Sequence, residues 1–245
     1  MSAPSSPPVR VVVLVAAEAE WRAVRAVFPR AAGEPTPLGE SFRAALPAAP
    51  PDLAVRFFHT GWGKIAAAAG TQYALDRWQP HLLINLGTCG GFRGAVQVGE
   101  VLLVTETVVY DIYEQMGDPA AARAHYRTRL DLSWLPRPYP ARVRPARLVS
   151  ADRDLIPQEV PHLRDAYQAL AGDWESGAIA WVAARQRARL LILRGVSDLV
   201  DAAGGEAYGD LDLFQARAAA VMRTLLAQLP AWLHHVAPVL RQAAG

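Results

Sequence analysis

Two carboxylates stand just beyond apolar runs, where each could exchange a proton with a ligand. Asp198 closes the stretch LLILRGVSD at 190–198. A carboxyl group at the end of a buried strand is partly desolvated. Desolvation raises its pKa and suits it to donate a proton near neutral pH. The same residue type also caps helices, and position alone does not separate the two roles. Glu20 lies just past VVVLV at 11–15, two residues after Glu18. It could activate a water, or it could be a first-turn acid that favours the helix dipole. Gly87-Thr88-Cys89-Gly90-Gly91 follows another apolar run, and glycines there let backbone amides approach a ligand or an anion.

Several chemistries are excluded by spacing. GTCGG is not GxGxxG, and no acidic residue about 20 positions on ends a second strand, so a dinucleotide site is not expected. Gly61-Trp62-Gly63-Lys64 lacks the longer spacing and the Ser/Thr of a Walker A loop. Cys89 is the single cysteine, which rules out an intramolecular disulfide and fits a reducing, cytoplasmic setting. The six histidines show no metal spacing, so neither a metal nor a cofactor is expected. The net charge is only +2, with 24 arginines and one lysine, Lys64, and no tight basic run; nucleic acid is not an expected partner. No apolar run of about 20 residues occurs, so no membrane span is expected.

These groups must be positioned by a regular scaffold. Residues 11–15 read as a buried strand, 18–28 as a helix and 35–51 as a loop. Residues 53–59 are a second strand, and 61–63 turn into an Ala-rich helix over 64–78. Strands follow at 82–85 and 101–109, with 87–91 a loop between them. The proline-rich stretch 118–145 reads as irregular. A short strand at 148–150, helices over 161–171 and 175–187, and a strand over 190–196 come next. A helix over 211–229 is expected to break at Pro230, before a last helix to about 240. Apolar strands alternating with helices predict one three-layer α/β/α domain over 10–245 with a mostly parallel central sheet, preceded by a disordered tail at 1–9. Ligands of such sheets sit at the carboxyl ends of the strands, where the groups above lie.

Six segments, in order, resemble the methylthioadenosine/S-adenosylhomocysteine nucleosidases, relatives of the nucleoside phosphorylases. They are VVVLVAAEAEW at 11–21, GWGKIAA at 61–67, INLGTCGG at 84–91, VGEV at 98–101, DWESGA at 173–178 and RGVSDLVD at 194–201. The resemblance implies a hydrolase that cuts the N-glycosidic bond of a purine nucleoside. Glu20 would activate water, with Glu18 the alternative register, and Asp198 would protonate the purine at N7. Glu175 would grip the ribose hydroxyls, with Trp174 in place of the family's usual Met beneath the sugar. Thr88, Cys89 and Gly90 would lie beside the attacking water, Arg194 and Ser197 would support Asp198, and Tyr208 would close the cavity.

The resemblance also implies a homodimer through 101–117, and an apolar 5′ subsite at Ile112, Tyr113, Met116 and Tyr208. The chain departs from the family at SADRDLI, 150–156, where Asp154 and Leu155 stand in the segment that often holds a base-stacking aromatic. A phosphate-dependent phosphorylase, a futalosine-type nucleosidase with Arg123, Arg127 and Arg129 near its 5′ carboxylate, and a non-catalytic nucleoside binder are the alternatives. The acidic Glu18 and Glu20 would repel phosphate, and the intact trio of Glu20, Glu175 and Asp198 speaks against a mere binder.

Overall fold

A computed structural model describes residues 9–244. The order is β1 (Val9–Val15), α1 (Glu18–Val27), β2 (Glu34–Thr36), β3 (Gly39–Ala44), β4 (Leu53–His59), α2 (Lys64–Trp78), β5 (Leu82–Phe92), β6 (Val101–Val109), α3 (Pro119–His125), β7 (Arg127–Arg129), β8 (Arg144–Ser150), α4 (Val160–Tyr167), β9 (Ala171–Asp173), α5 (Ser176–Arg185), β10 (Leu190–Asp201), β11 (Gly204–Gly205) and α6 (Leu211–Ala244). The expected tail at 1–9 lies outside the described residues except for Val9, which is buried and opens β1.

β1 pairs in parallel with β4 on one side and β5 on the other, and β5 pairs in parallel with β10. Strands covered on both faces need apolar residues at successive positions, which explains VVVLV. One face of β1, with Val11, Val13 and Val15, packs with Trp21 and Val24 of α1 and with α6. The other, with Val12 and Leu14, packs with Ala67 and Ala74 of α2 and with α5. The layers are therefore helix, sheet, helix, as the sequence predicts.

The sheet is mixed at its ends. β3 joins β4 antiparallel, and β6 joins β10 antiparallel. β6 then pairs with β8, β8 with β9, and β9 with β5, so β5, β10, β6, β8 and β9 close a barrel-like ring. The ring brings the ends of β5, β9 and β10 together.

Four stretches are more regular than their sequence predicts. Residues 87–91 are not a loop but the second half of β5. Their glycines serve close packing rather than turning: a Cβ on Gly87 would stand 2.0 Å from Arg194 Nη1, and one on Gly91 2.5 Å from Val96. β10 likewise runs on to Asp201, with a bulge between Val196 and Asp198. The expected loop at 35–51 contains most of the β2–β3 hairpin, and the irregular stretch 118–145 contains α3 and β7. The helix expected over 161–171 stops at Tyr167, and Ala171 begins β9.

Pro230 does not end a helix. α6 is continuous through both Pro230 and Pro238. An internal proline costs about 3 kcal/mol. Trp232, Leu233, Val236 and Leu240 lie beyond Pro230 and are fully buried, each worth about 1.5–3 kcal/mol. Burial therefore outweighs the local penalty. Among the described residues, no helix is long and apolar enough to cross a membrane.

Candidate active site

A cavity of about 800 Å³ opens where β5, β9 and β10 converge, and nine of the ten predicted site residues line it. They are Glu20, Thr88, Cys89, Gly90, Trp174, Glu175, Ser197, Asp198 and Tyr208. The tenth, Arg194, lies behind them.

Glu20 is buried on the first turn of α1, whereas Glu18 on the same turn is exposed. Glu20 Oε1 accepts the Thr88 backbone N–H at 2.6 Å and the Thr88 hydroxyl at 2.8 Å. Its Oε2 accepts the Ala17 N–H at 3.2 Å. Glu18 instead lies 3.8 Å from Arg22 and 3.9 Å from His59. The extension of β5 as a strand is what carries the Thr88 amide to Glu20.

Asp198 faces the cavity from β10. Burial pushes its carboxyl above the usual range, the Ser197 hydroxyl and Arg217 partly oppose this, and Glu206 and Asp154 add to it. Ser197 donates to Asp198 Oδ1 at 2.7 Å and to the Cys89 carbonyl at 3.3 Å. The bulge at Ser197 offsets the strand's two-residue alternation and re-aims the side chains that follow it.

Arg194 does not support Asp198, contrary to the expectation. Its guanidinium is fully buried and serves another set of partners. Nε lies 2.9 Å from Asp173 Oδ2 and donates to the Ser176 hydroxyl at 2.9 Å. Nη2 donates to Asn85 Oδ1 at 2.9 Å and lies 3.8 Å from Glu175. Nη1 donates to the Thr88 carbonyl at 3.3 Å and lies 3.8 Å from Glu20. One cation thus stands among three buried carboxylates.

Asp173 was not singled out in the sequence, although it opens the DWESGA segment. It accepts from the Ser150 hydroxyl at 2.6 Å and from the Ser176 amide at 3.2 Å, and so joins β8, β9 and α5.

Glu175 precedes α5 and accepts the Gly63 N–H at 3.0 Å. Gly63 can present that amide because its φ of 87° is open to glycine. Burial pushes Glu175 up to about 8, helped by Asp173 and Glu20 and opposed by Arg194. The folded state therefore holds a proton that the unfolded chain releases near its ordinary value of 4.5. This contribution to stability is fully present below about 4.5 and is lost as pH rises through about 8, on the order of a few kcal/mol. Melting temperatures taken from pH 5 to 9 should fall with pH, and Glu175→Gln should flatten that fall. A parallel decline in the variant would show that another group carries it.

Trp174 stacks on Trp62, with ring centroids 5.3 Å apart. Tyr208 donates its hydroxyl to the Leu155 carbonyl at 2.6 Å, and Asp154 and Leu155 line the cavity together with Asp198. Cys89 is buried and its thiol is pushed up by burial, which opposes any nucleophilic role. Ile112, Tyr113 and Met116 are outside the cavity lining of the single chain, and so are Arg123, Arg127 and Arg129. Among the described residues no group of three or more His, Cys, Asp or Glu is arranged to hold a metal ion.

A fold that closes a mixed sheet over such a cavity defines a class, and the comparisons with known proteins identify it. Residues 52–230 match the phosphorylase superfamily, and the chain belongs to that superfamily. Within it, the chain is similar to 5′-methylthioadenosine/S-adenosylhomocysteine nucleosidases. That of Bacillus cereus is 28% identical over 222 residues, covering 86% of this chain and 93% of the relative. That of Bacillus cytotoxicus is 30% identical over 172 residues, covering 65% and 73%. The fold is shared with the Neisseria meningitidis nucleosidase solved with methylthio-immucillin-A, at TM-score 0.69 and 23% identity over 96% of this chain and 99% of that one. It is shared equally with the futalosine hydrolase of Helicobacter pylori, at TM-score 0.73 and 15% identity over 92% and 97%.

Proposed function

We propose that the chain is a phosphate-independent hydrolase of the N-glycosidic bond of purine nucleosides, with 5′-methylthioadenosine/S-adenosylhomocysteine-like substrates. The observation that carries this reading is the placement of Asp198 and Glu20 on two walls of one cavity. The first has its carboxyl raised by burial; the second is fixed by the Thr88 amide and hydroxyl.

A purine departs poorly as an anion. Asp198 donates its proton to N7, and the C1′–N9 bond breaks with its electron pair going to the base. The ribosyl group becomes oxocarbenium-like. Water adds to C1′ and gives its proton to Glu20, whose charge also favours the cationic transition state, as paired carboxylates do in glycoside hydrolysis. The products are free purine and a sugar with a 1′-hydroxyl. Glu175 holds the ribose hydroxyls, and Trp174 lies under the sugar. Arg194 is the positioning residue for Glu20 and Glu175 rather than for Asp198.

Phosphorolysis is disfavoured by the same geometry. Arg194 is committed to three carboxylates, and the acidic Glu18 and Glu20 line the cavity. Base release should therefore proceed at the same rate with and without phosphate. Release only with phosphate would refute the hydrolase reading, and no release from any purine nucleoside would favour a binder.

The futalosine-type alternative is favoured by one observation: Arg22 and Arg153 line the cavity and could meet a 5′ carboxylate. Comparing kcat/KM for methylthioadenosine and aminodeoxyfutalosine in that assay separates the two. The proposed assembly is a homodimer through 101–117, where Tyr113 and Met116 are exposed large apolar side chains. Light scattering of the same preparation reads its mass, and a monomer at working concentration would refute it.

A further inference from the structure

Resting on the hydrolase reading of this cavity, we propose that Asp154 determines base specificity: its carboxylate accepts an N–H of the 6-amino group and repels a 6-oxo group, selecting 6-aminopurine over 6-oxopurine nucleosides.

Asp154 and Asp198 line the same cavity. The segment that carries Asp154 is fixed against Asp198 from two sides. Tyr208 donates its hydroxyl to the Leu155 carbonyl at 2.6 Å. A Cβ on Gly90 would stand 3.2 Å from Leu155 Cδ1 and 3.9 Å from Asp198 Oδ2, so Leu155 and the Asp198 carboxyl flank the same glycine. Asp152, two residues before Asp154, accepts the Lys64 amide at 2.6 Å and donates its own N–H to Asp111 at 3.0 Å. The loop is thus pinned on both sides of Asp154.

The two carboxyls differ in surroundings. Asp198 is buried, and burial raises its carboxyl above the usual range; Asp154 is exposed, an acidic side chain with acceptor oxygens. N7 and the six position lie on one edge of a purine. A base protonated at N7 by Asp198 therefore turns its six-substituent toward the neighbouring wall. An amino group there donates to Asp154, whereas a carbonyl oxygen would place two acceptors together. A site built to accept a hydrogen bond rejects the analogue that cannot donate one. The negative charge of Asp154 also helps Asp198 keep its proton.

The test uses the full chain, with methylthioadenosine and its 6-hydrogen and 6-oxo counterparts, in wild type, Asp154→Leu and Asp154→Asn. On the acid plateau of the pH profile, Asp154→Leu should lower kcat/KM about tenfold for the amino compound and less than twofold for the 6-hydrogen one. The 6-oxo compound should gain. The basic limb of the profile should move to lower pH in both variants, which a merely structural role would not produce. An equal fall for all three substrates, or no change for any, would overturn the proposal. If neither variant folds, wild-type titration with free adenine and hypoxanthine decides, and equal affinities would overturn it. If no nucleoside is cleaved, the hydrolase reading fails by itself, and Asp154 is judged by the adenine-to-hypoxanthine affinity ratio in wild type and Asp154→Leu.

Discussion

Asp198→Asn is expected to lower kcat at least about 10²-fold while nucleoside binding survives. Asparagine keeps the shape and can still accept the Ser197 hydrogen bond, but it has no proton to give to the purine. The loss should therefore appear in kcat rather than KM. Glu20→Gln should be similarly damaging, because it removes the base and the charge opposite the oxocarbenium-like sugar. Glu18→Gln should stay within about threefold of wild type, since Glu18 is exposed at the cavity's edge and its carboxylate lies near Arg22 and His59 rather than on the Thr88 amide. Steady-state kinetics with methylthioadenosine check all three. Near-normal turnover in Asp198→Asn would remove it from the mechanism, and severe loss in Glu18→Gln with mild loss in Glu20→Gln would move the water-activating role by two residues.

That the sequence points to the cavity positions of Glu20 and Asp198, and not to the partners of Arg194, has a physical basis. Glu20 and Asp198 sit just after or late in long apolar strands, and β1 and β10 announce themselves through unbroken runs of Val, Leu and Ile. A carboxylate there is conspicuous from neighbours alone. The partners of Arg194 are Asn85, Thr88, Asp173, Glu175 and Glu20, most of them far away in sequence. No local pattern announces such a set, and Arg194 was placed with Asp198 through the resemblance carried by the segment RGVSDLVD, which holds both. The actual signal was Gly87, whose missing Cβ leaves room for the guanidinium. It reads in sequence as a turn residue.

The same limit applies to the sheet. The central parallel strands were legible, but ring closure depends on β9, whose three residues AGD carry no periodicity. Its place is set by Asp173, which bonds Ser150 and Arg194. Pro230 misled for the opposite reason: its local rule is strong, and only the burial of Trp232, Leu233 and Val236 on the far side shows that tertiary packing overrides it.

Arg194→Met is expected to destabilise the protein by about 3–5 kcal/mol. The guanidinium has no solvent exposure, and its donors serve Asp173, Glu20, Glu175, Asn85 and Thr88. Methionine fills similar length but leaves three buried carboxylates without a cation. In a chain of this size, that loss lowers Tm by roughly 2–4 °C per kcal/mol. The defect should also depend on pH in a defined direction. Without Arg194 the opposing pull on Glu175 is gone, so its folded-state pKa, already pushed up to about 8, rises further above the unfolded value. Stability in the variant is then best retained at low pH and falls as pH rises through that range. The gap between wild type and variant should accordingly be smaller at pH 5 than at pH 8. Urea melts at both values give the answer. A loss below about 1 kcal/mol, or a gap that widens toward acid, would show that the buried acidic set does not depend on Arg194.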